Sequence, residues 1–388
     1  MAEALWGERA VLPGLSVGRF ADREALTGCA VVLVEEGAVA AVDVRGAAPG
    51  TRETHLLAPE NTVERVQAVL LTGGSALGLA AADGVVRYLR ERGKGFPTPA
   101  GAVPIVPAAV LYDLGRGQAF RPPGAEAGYG ASLAAGGGVA EGSVGAGTGA
   151  VAGGVKGGVG LAGYLLEEGF RVMALAAVNS LGRPFDPLTG RLYAEGLLAP
   201  EERALLPDLS RYRGSPEDYR LPFLLGQNTT LAVVATDAPL TKAQAKRLAI
   251  MAQDGLARAL RPAHTPLDGD LVFALALGDG RGVEPLLLLR LGAYAADALA
   301  RAIARGVLLA AGVAGVPACR ERAAGGASES AEARRAHARC ASPRPRSSAR
   351  GSQPPLDVVS PPRLRGGGRS ILKRARSRSI FPFRPATL

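Results

Sequence analysis

The feature that most constrains this chain is a strand-like run that starts abruptly at a hydroxyl residue. Asn228-Thr229-Thr230-Leu231-Ala232-Val233-Val234-Ala235 closes a polar stretch, Gly182–Asn228, of 47 residues with 13 charges and six prolines. An apolar strand entered this way marks where a chain can cut itself, leaving Thr229 as a new N-terminus. A free N-terminal threonine carries its own base, since an α-amine titrates near ~8, far below a lysine side chain. That amine can activate the adjacent hydroxyl as a nucleophile. The pattern predicts a chain made as one piece and active as two.

With 388 residues, 47% of them hydrophobic, the chain can bury a substantial core. Its net charge of +10 suggests a nucleic-acid partner until the charge is located. Residues 319–388 hold 16 Lys plus Arg against 4 Asp plus Glu, while the rest holds 29 against 31. The body is near neutral and the basic character belongs to the tail. That tail is rich in Arg, Ala, Ser, Pro and Gly without periodicity, so it reads as basic, low-complexity and disordered. An out-of-frame extension of a GC-rich gene has the same composition. A nucleic-acid-binding arm lacks aromatic interleaving before Phe381 and Phe383, so nucleic acid is not an expected partner. Cys29, Cys319 and Cys340 give neither a disulfide framework nor paired ligand spacing, and three scattered His make no metal cluster. No metal and no cofactor are expected. The start, Met1-Ala2-Glu3-Ala4, lacks a basic region followed by an apolar core. No apolar run approaches the ~20 residues that span a bilayer, so a cytoplasmic protein without membrane partners is expected.

Along the chain, Ala30–Val34 and Ala38–Val42 flank Glu35-Glu36-Gly37 and read as a β-hairpin. Ala68–Leu71 is a strand ending in Thr72-Gly73-Gly74-Ser75, and a helix is predicted over Ala76–Arg92. Pro104 and Pro107 make Ala102–Leu111 an irregular or edge segment. Gly124–Ala140 starts as a helix and dissolves into glycines. Gly145–Gly160 holds eight glycines, so backbone must approach something closely there or adopt positive φ repeatedly. Phe170–Asn179 is a strand. Residues 182–228 read as a flexible pre-cleavage linker with one short helix at Pro200–Leu206. Thr241 and Gln244 form a capping-box pattern before a helix with Leu248, Ala252, Leu256 and Leu260 on one face. Leu271–Leu277 is an internal strand, and a last helix spans Ala293–Leu309. Strands and helices mixed in this order predict an α+β layered body over residues 1–318.

The glycine-rich segment invites two nucleotide readings, and both fail. Gly145-Ala146-Gly147-Thr148-Gly149-Ala150 fits GxGxxA but lacks the strand before it and the helix after it. Gly149 to Lys156 resembles a phosphate loop, yet Gly157 stands where Ser or Thr should bind magnesium. What remains is Lys156 in a glycine frame. Such a lysine is ordinarily solvated; in a cleft it would depress the Thr229 amine and orient its hydroxyl. Asn179 ends an apolar strand, where it is either a turn residue or an oxyanion donor. Asp268 and Asp270 flank Gly269 before a strand. They are either turn residues or a pair on one side that tunes the ammonium of Thr229 or Lys156.

These pieces resemble the self-processing aminopeptidase family of D-aminopeptidase DmpA and the β-peptidyl aminopeptidases, which includes the nylon-oligomer (6-aminohexanoate) hydrolases. The resemblance covers about residues 10–318. It rests on Asp43-Val44-Arg45-Gly46 with Ala48–Thr54, on Leu71-Thr72-Gly73-Gly74-Ser75 with Ala76–Gly84, and on Val144–Gly149 with Lys156-Gly157-Gly158. Val178-Asn179, Asn228-Thr229-Thr230 and Val234–Leu240 complete it. The family implies a four-layer αββα sandwich of the kind shared with ornithine acetyltransferases. It also implies cleavage between Asn228 and Thr229 into α (about 1–228) and β (229 onward) chains, and a homo-oligomer of such heterodimers. Lys156, Asn179, Asp268 and Asp270 match site positions of the Asn–Thr branch, and Tyr112 matches a supporting tyrosine. The branch that cleaves before Ser departs at the lysine and the acid pair, so β-peptide specificity does not transfer.

The expected function is an N-terminal-nucleophile amidohydrolase that acts on short peptides or oligoamides through an acyl-Thr229 intermediate. Two alternatives stay open: an acyltransferase of the ornithine acetyltransferase type, and a catalytically silent binding homologue.

Overall fold

The computed structural model describes residues 2–214, 228–313 and 315–323, all within one compact unit spanning residues 1–330. The chain opens with β1 (Glu3–Trp6), β2 (Ser16–Asp22), β3 (Thr27–Val44), β4 (Gly50–Arg52), β5 (Arg65–Thr72) and α1 (Ala81–Glu91). β6 (Phe96–Thr98), β7 (Gly101–Val103), β8 (Ala108–Val110) and α2 (Ala125–Leu133) follow. A small hairpin, β9 (Val151–Ala152) and β10 (Val155–Lys156), leads into β11 (Val159–Leu165) and β12 (Arg171–Asn179). The remainder is β13 (Thr229–Thr236), α3 (Lys242–Ala252), α4 (Asp254–Ala259), β14 (Leu271–Ala276), α5 (Pro285–Leu308) and α6 (Cys319–Ala323).

Ten strands join in one mixed sheet of order β1-β11-β12-β13-β14-β3-β5-β8-β4, with β2 added along β3. Only β13–β14 and β5–β8 run parallel. The expected hairpin at residues 30–42 is instead the single 18-residue strand β3, and Glu35-Glu36-Gly37 is a break in its register. Gly37 takes φ of +85°, a conformation that costs little without a Cβ. Before the break β3 pairs with β2 on one edge and β5 on the other; after it, β3 pairs with β14.

Alternation of side chains then distributes the apolar residues over three clusters. One lies under α3, α4 and α5 and takes Val172, Ala174, Ala232, Val234, Val272 and Ala274. A second takes the opposite face of the same strands, including Leu175, Leu231, Val233, Leu271 and Phe273, together with Val32, Val69 and Leu71. The third packs Val31, Leu33 and Leu70 against Val85 and Leu89 of α1 and Ala131 of α2. The fold is mixed α/β, as the α+β expectation requires. No helix among the described residues is long and apolar enough to cross a membrane.

The helices keep their expected places with shifted ends. A 3₁₀ stretch, Ser75–Ala80, precedes α1 and leaves Leu77 exposed. Thr241 and Gln244 form the reciprocal capping box. The helix expected to continue through Leu256 breaks at Gln253, whose buried amide donates to the Asp43 carbonyl (2.8 Å). α5 begins at Pro285 rather than Ala293; its leucine run has no polar side to mark a helix, and Pro285 presets the first turn.

The segment after residue 182 departs most from expectation. Within its described part, residues 182–214, Phe185, Leu192, Ala194 and Leu198 are core residues, so this part is packed rather than a flexible linker. Its acidic Glu202 is buried between two α5 arginines. Arg301 Nε donates to Glu202 Oε2 (3.0 Å) and Arg305 Nη1 to Oε1 (3.1 Å), while Arg305 also clasps Glu141. Residues 215–227 lie outside the described part. Cys319, where the expected tail begins, is buried in α6; residues 324–388 lie outside the described residues. A buried ion pair loses its compensation when one partner is removed. Glu202→Ala, which leaves Arg301 without a carboxylate and Arg305 with Glu141 alone, should therefore lower unfolding stability by about 3–5 kcal/mol in urea titration; a loss below about 1 kcal/mol contradicts this account.

Candidate active site

The glycines explain how the site closes. A Cβ at Gly157 would meet the Val178 carbonyl oxygen at 2.0 Å, and one at Gly160 would meet that of Ala302 in α5 at 2.0 Å. Only glycine lets the hairpin before β11 lie this flat on the end of β12. The Val178 amide then donates to Gly158 O (2.9 Å), and the N–H of Val151, which pairs with Lys156 in the hairpin, donates to Asn179 Oδ1 (3.0 Å).

Asn179 and Thr229 are direct partners in the antiparallel β12–β13 register, so their side chains share one face. Thr229 is buried, and its Oγ1 donates to the carbonyl oxygen of Asn228 at 2.5 Å. The same oxygen accepts the Gly269 N–H at 3.2 Å. A Cβ on Gly269 would come within 2.8 Å of Thr229 Oγ1 and 2.7 Å of the Ala48 carbonyl, so this residue too must be small. The backbone of 268–270 is clamped by the turn after β3: Ala48 N donates to Asp268 O (2.9 Å), and Arg45 N and Gly46 N to Asp270 O (3.0 Å each).

Asp268 and Asp270 share one side, as expected, but it is not the side of the Thr229 hydroxyl. By alternation they fall with Val272 and Thr230, whereas Gly269 and Thr229 fall with Leu271 and Leu231. They address the backbone instead. Asp270 Oδ1 accepts the Thr230 N–H (2.7 Å) and its Oδ2 the His264 N–H (2.9 Å). Asp268 accepts the Leu181 N–H (3.3 Å) and the Thr265 hydroxyl. Burial, and then the like charge of Asp270, raise the Asp268 carboxyl above the ordinary carboxylate range.

Lys156 is fully buried, and its Nζ donates to the carbonyls of Gly147 and Gly157, both at 2.7 Å. Burial, followed by repulsion from Arg116, lowers its pKa to about 7. It can thus gain or lose a proton near neutrality. Tyr112 contributes its main chain: the Asn179 Nδ2 donates to the Tyr112 carbonyl at 3.1 Å.

Sequence reasoning missed Arg116, Asp113 and the Gly269 N–H. Arg116 Nη1 donates to Asn179 Oδ1 (2.6 Å) and to Gly149 O (2.5 Å). Asp113 is buried, accepts the Gly74 N–H (2.7 Å), and has its pKa raised by that burial. Two opposite charges three residues apart, Asp113 and the glycine-flanked Arg116, follow the apolar Ala108–Tyr112. That was the available signal.

A family model described as peptidase family S58 matches residues 11–320. An uncharacterized aminopeptidase of Mycobacterium tuberculosis (strain ATCC 25618 / H37Rv) is 50% identical over 313 residues, covering 76% of this chain and 89% of the relative. A 6-aminohexanoate-oligomer endohydrolase of Kocuria sp. (strain KY2) is 28% identical over 302 residues, covering 74% and 82%. The L-aminopeptidase D-Ala-esterase/amidase of Ochrobactrum anthropi, described as a variant of the Ntn hydrolase fold, superposes with a TM-score of 0.59 at 22% identity, over 77% of this chain and 85% of that one. With most of its length matched by the family model and half its aligned residues shared with a relative, the chain belongs to peptidase family S58.

Proposed function

We propose that this protein is an N-terminal-nucleophile amide hydrolase that cuts itself between Asn228 and Thr229 and then hydrolyses short peptides or oligoamides through acyl-Thr229. The observation that carries the reading is the convergence on one carbonyl oxygen: the Thr229 hydroxyl and the Gly269 N–H both donate to Asn228 O. Thr229 Oγ1 attacks the Asn228 carbonyl carbon, and the developing oxyanion already has a backbone donor in Gly269. The C–N bond breaks, the Thr229 nitrogen takes up the hydroxyl proton, and an ester results. Water then cleaves the ester into an Asn228 carboxylate and a free Thr229 with its amine and hydroxyl restored. Holding nucleophile and carbonyl together can supply ~7–11 kcal/mol of the barrier.

In turnover the Thr229 amine shuttles the proton between hydroxyl and leaving group. Asn179, on the same face, donates to the oxyanion. Asp270, which accepts the Thr230 N–H, and Asp268, which holds Leu181 and Thr265, receive the new ammonium. Lys156 is suited to relay a proton near neutral pH. The three apolar clusters support reading the fold as the four-layer αββα sandwich. The names of the aminopeptidase and oligomer-hydrolase relatives support amide substrates entering by an end, with the α and β chains remaining paired and assembling further.

Denaturing electrophoresis and N-terminal sequencing test the cleavage. The full chain should yield a fragment beginning Thr-Thr-Leu-Ala, and Thr229→Ala should leave a single species of 39.5 kDa. A wild-type chain that never splits overturns the reading. Gly269→Ala, which pushes a methyl onto the nucleophile, should slow the split at least about tenfold, by analogy with loss of an oxyanion donor. Because Lys156 is protonated below a pKa of about 7, the turnover rate should fall as pH drops through that value. Lys156→Arg, which stays charged, should lose turnover at all pH values; a pH-rate profile flat from 5 to 9 would sink the proton-relay role.

A further inference from the structure

Arg116 has no place in the chemistry just described, yet it joins the residues that do. Its Nη1 donates to Asn179 Oδ1 at 2.6 Å and to the Gly149 carbonyl at 2.5 Å. The Val151 N–H completes the Oδ1 environment at 3.0 Å. A guanidinium can only donate, so the amide end it holds must be the oxygen, and Nδ2 is left as the donor end. A cation on Oδ1 also draws electron density from the amide nitrogen and makes its N–H groups stronger donors. The acid in the same loop, Asp113, is engaged by the Gly74 N–H (2.7 Å), not by a hydrogen bond to Arg116.

We infer that Arg116 is a positioning residue of the Thr229 site, whose guanidinium fixes and polarises the Asn179 amide as oxyanion donor. The inference rests on the proposed hydrolase reading. It separates two steps that share a nucleophile. Self-cleavage draws on the Gly269 N–H, which already contacts the scissile carbonyl, whereas turnover of an external amide draws on Asn179. Arg116 therefore serves the second step and leaves the first intact. A second effect follows from charge. Lys156 responds to two charged side chains of the 113–116 loop: Arg116 lowers its pKa and Asp113 raises it. Removing Arg116 releases the repulsion, so Lys156 should hold its proton to higher pH.

The experiment uses the full chain and its Arg116→Met and Arg116→Lys variants, with self-cleavage followed on gels. Turnover is followed with a panel of aminoacyl p-nitroanilides and a linear 6-aminohexanoate oligomer. Arg116→Met should split at 228/229 like wild type, which also reports that it folds. Its kcat should fall roughly 10–100-fold with little change in KM, somewhat less than the ~10²–10³-fold expected for Asn179→Ala. The double variant should be no slower than Asn179→Ala alone, the non-additivity of groups that act as one. The acid limb of its pH-rate profile should move to higher pH, and Arg116→Lys should recover part of kcat and keep the limb in place. Three outcomes overturn the role: wild-type turnover in split Arg116→Met, additive losses in the double variant, or an unmoved acid limb. Failure of Arg116→Met and Arg116→Lys to split while wild type splits also overturns it, since the side chain then serves the first step or the fold. A wild-type chain that does not split, or splits and turns over none of the probes, overturns the hydrolase reading and this role with it.

Discussion

The position of Thr229 depends on strand pairing along both of its edges. On one edge the antiparallel register sets Asn179 opposite it; on the other, the parallel approach of the chain before β14 brings Gly269 against its hydroxyl. Strand periodicity is two, so a slip of one residue in either pairing would turn the hydroxyl to the other face and present Thr230 instead. The register is held by burial on both faces, because Leu231, Val233, Ala232 and Val234 all lack exposure and belong to different clusters. The choice between two adjacent threonines is thus made by the core, not by the threonines.

The charged groups sort by the same logic. Acids lie on the side of Thr230, where they grip main-chain N–H groups, and the lysine and arginine gather around Asn179 and the glycine loop. Lys156 hydrogen-bonds to carbonyls, with Asp113 acting on it only as a charge. Without a carboxylate hydrogen-bonded to it, a buried ammonium bonded to two carbonyls pays the full cost of desolvation, and its pKa falls toward neutrality. A surface lysine or a salt-bridged one would have stayed charged.

Much of this was legible in the sequence, and the failures have identifiable causes. The strands at 68–71, 170–179, 229–236 and 271–277 follow from their apolar runs; Asn179, Thr229, Asp268 and Asp270 stand out as candidates at strand ends and Lys156 in its glycine frame, whereas Tyr112 rests only on the family resemblance. Glu35-Glu36-Gly37 misled because a bulge and a turn use the same residues; only the partners β2, β5 and β14 distinguish them. Residues 182–214 misled because charge density was read as solvation. Glu202 is charged and buried, and what buries it, Arg301 and Arg305, lies about a hundred residues away. Arg116 was passed over for the same reason: its meaning lies in Asn179, 63 positions on.

That long-range pairing bears on what a cut at 228/229 would leave behind. The bond lies at the edge of an interface that has many other holds. β13 of the second segment is paired along its whole length with β12 of the first, and β14 of the second is flanked by β3 of the first. Glu202 adds a buried ionic tie to α5. The carbonyl of Pro317 accepts the Lys156 amide at 2.8 Å, so the far end of the second segment also rests on the glycine loop of the first. Breaking one covalent link in such an assembly removes the chain constraint at Thr229 and little else. An amine freed there would lie near Asp270, which already accepts the Thr230 N–H, while Thr229 would keep the geometry that the intact sheet imposes.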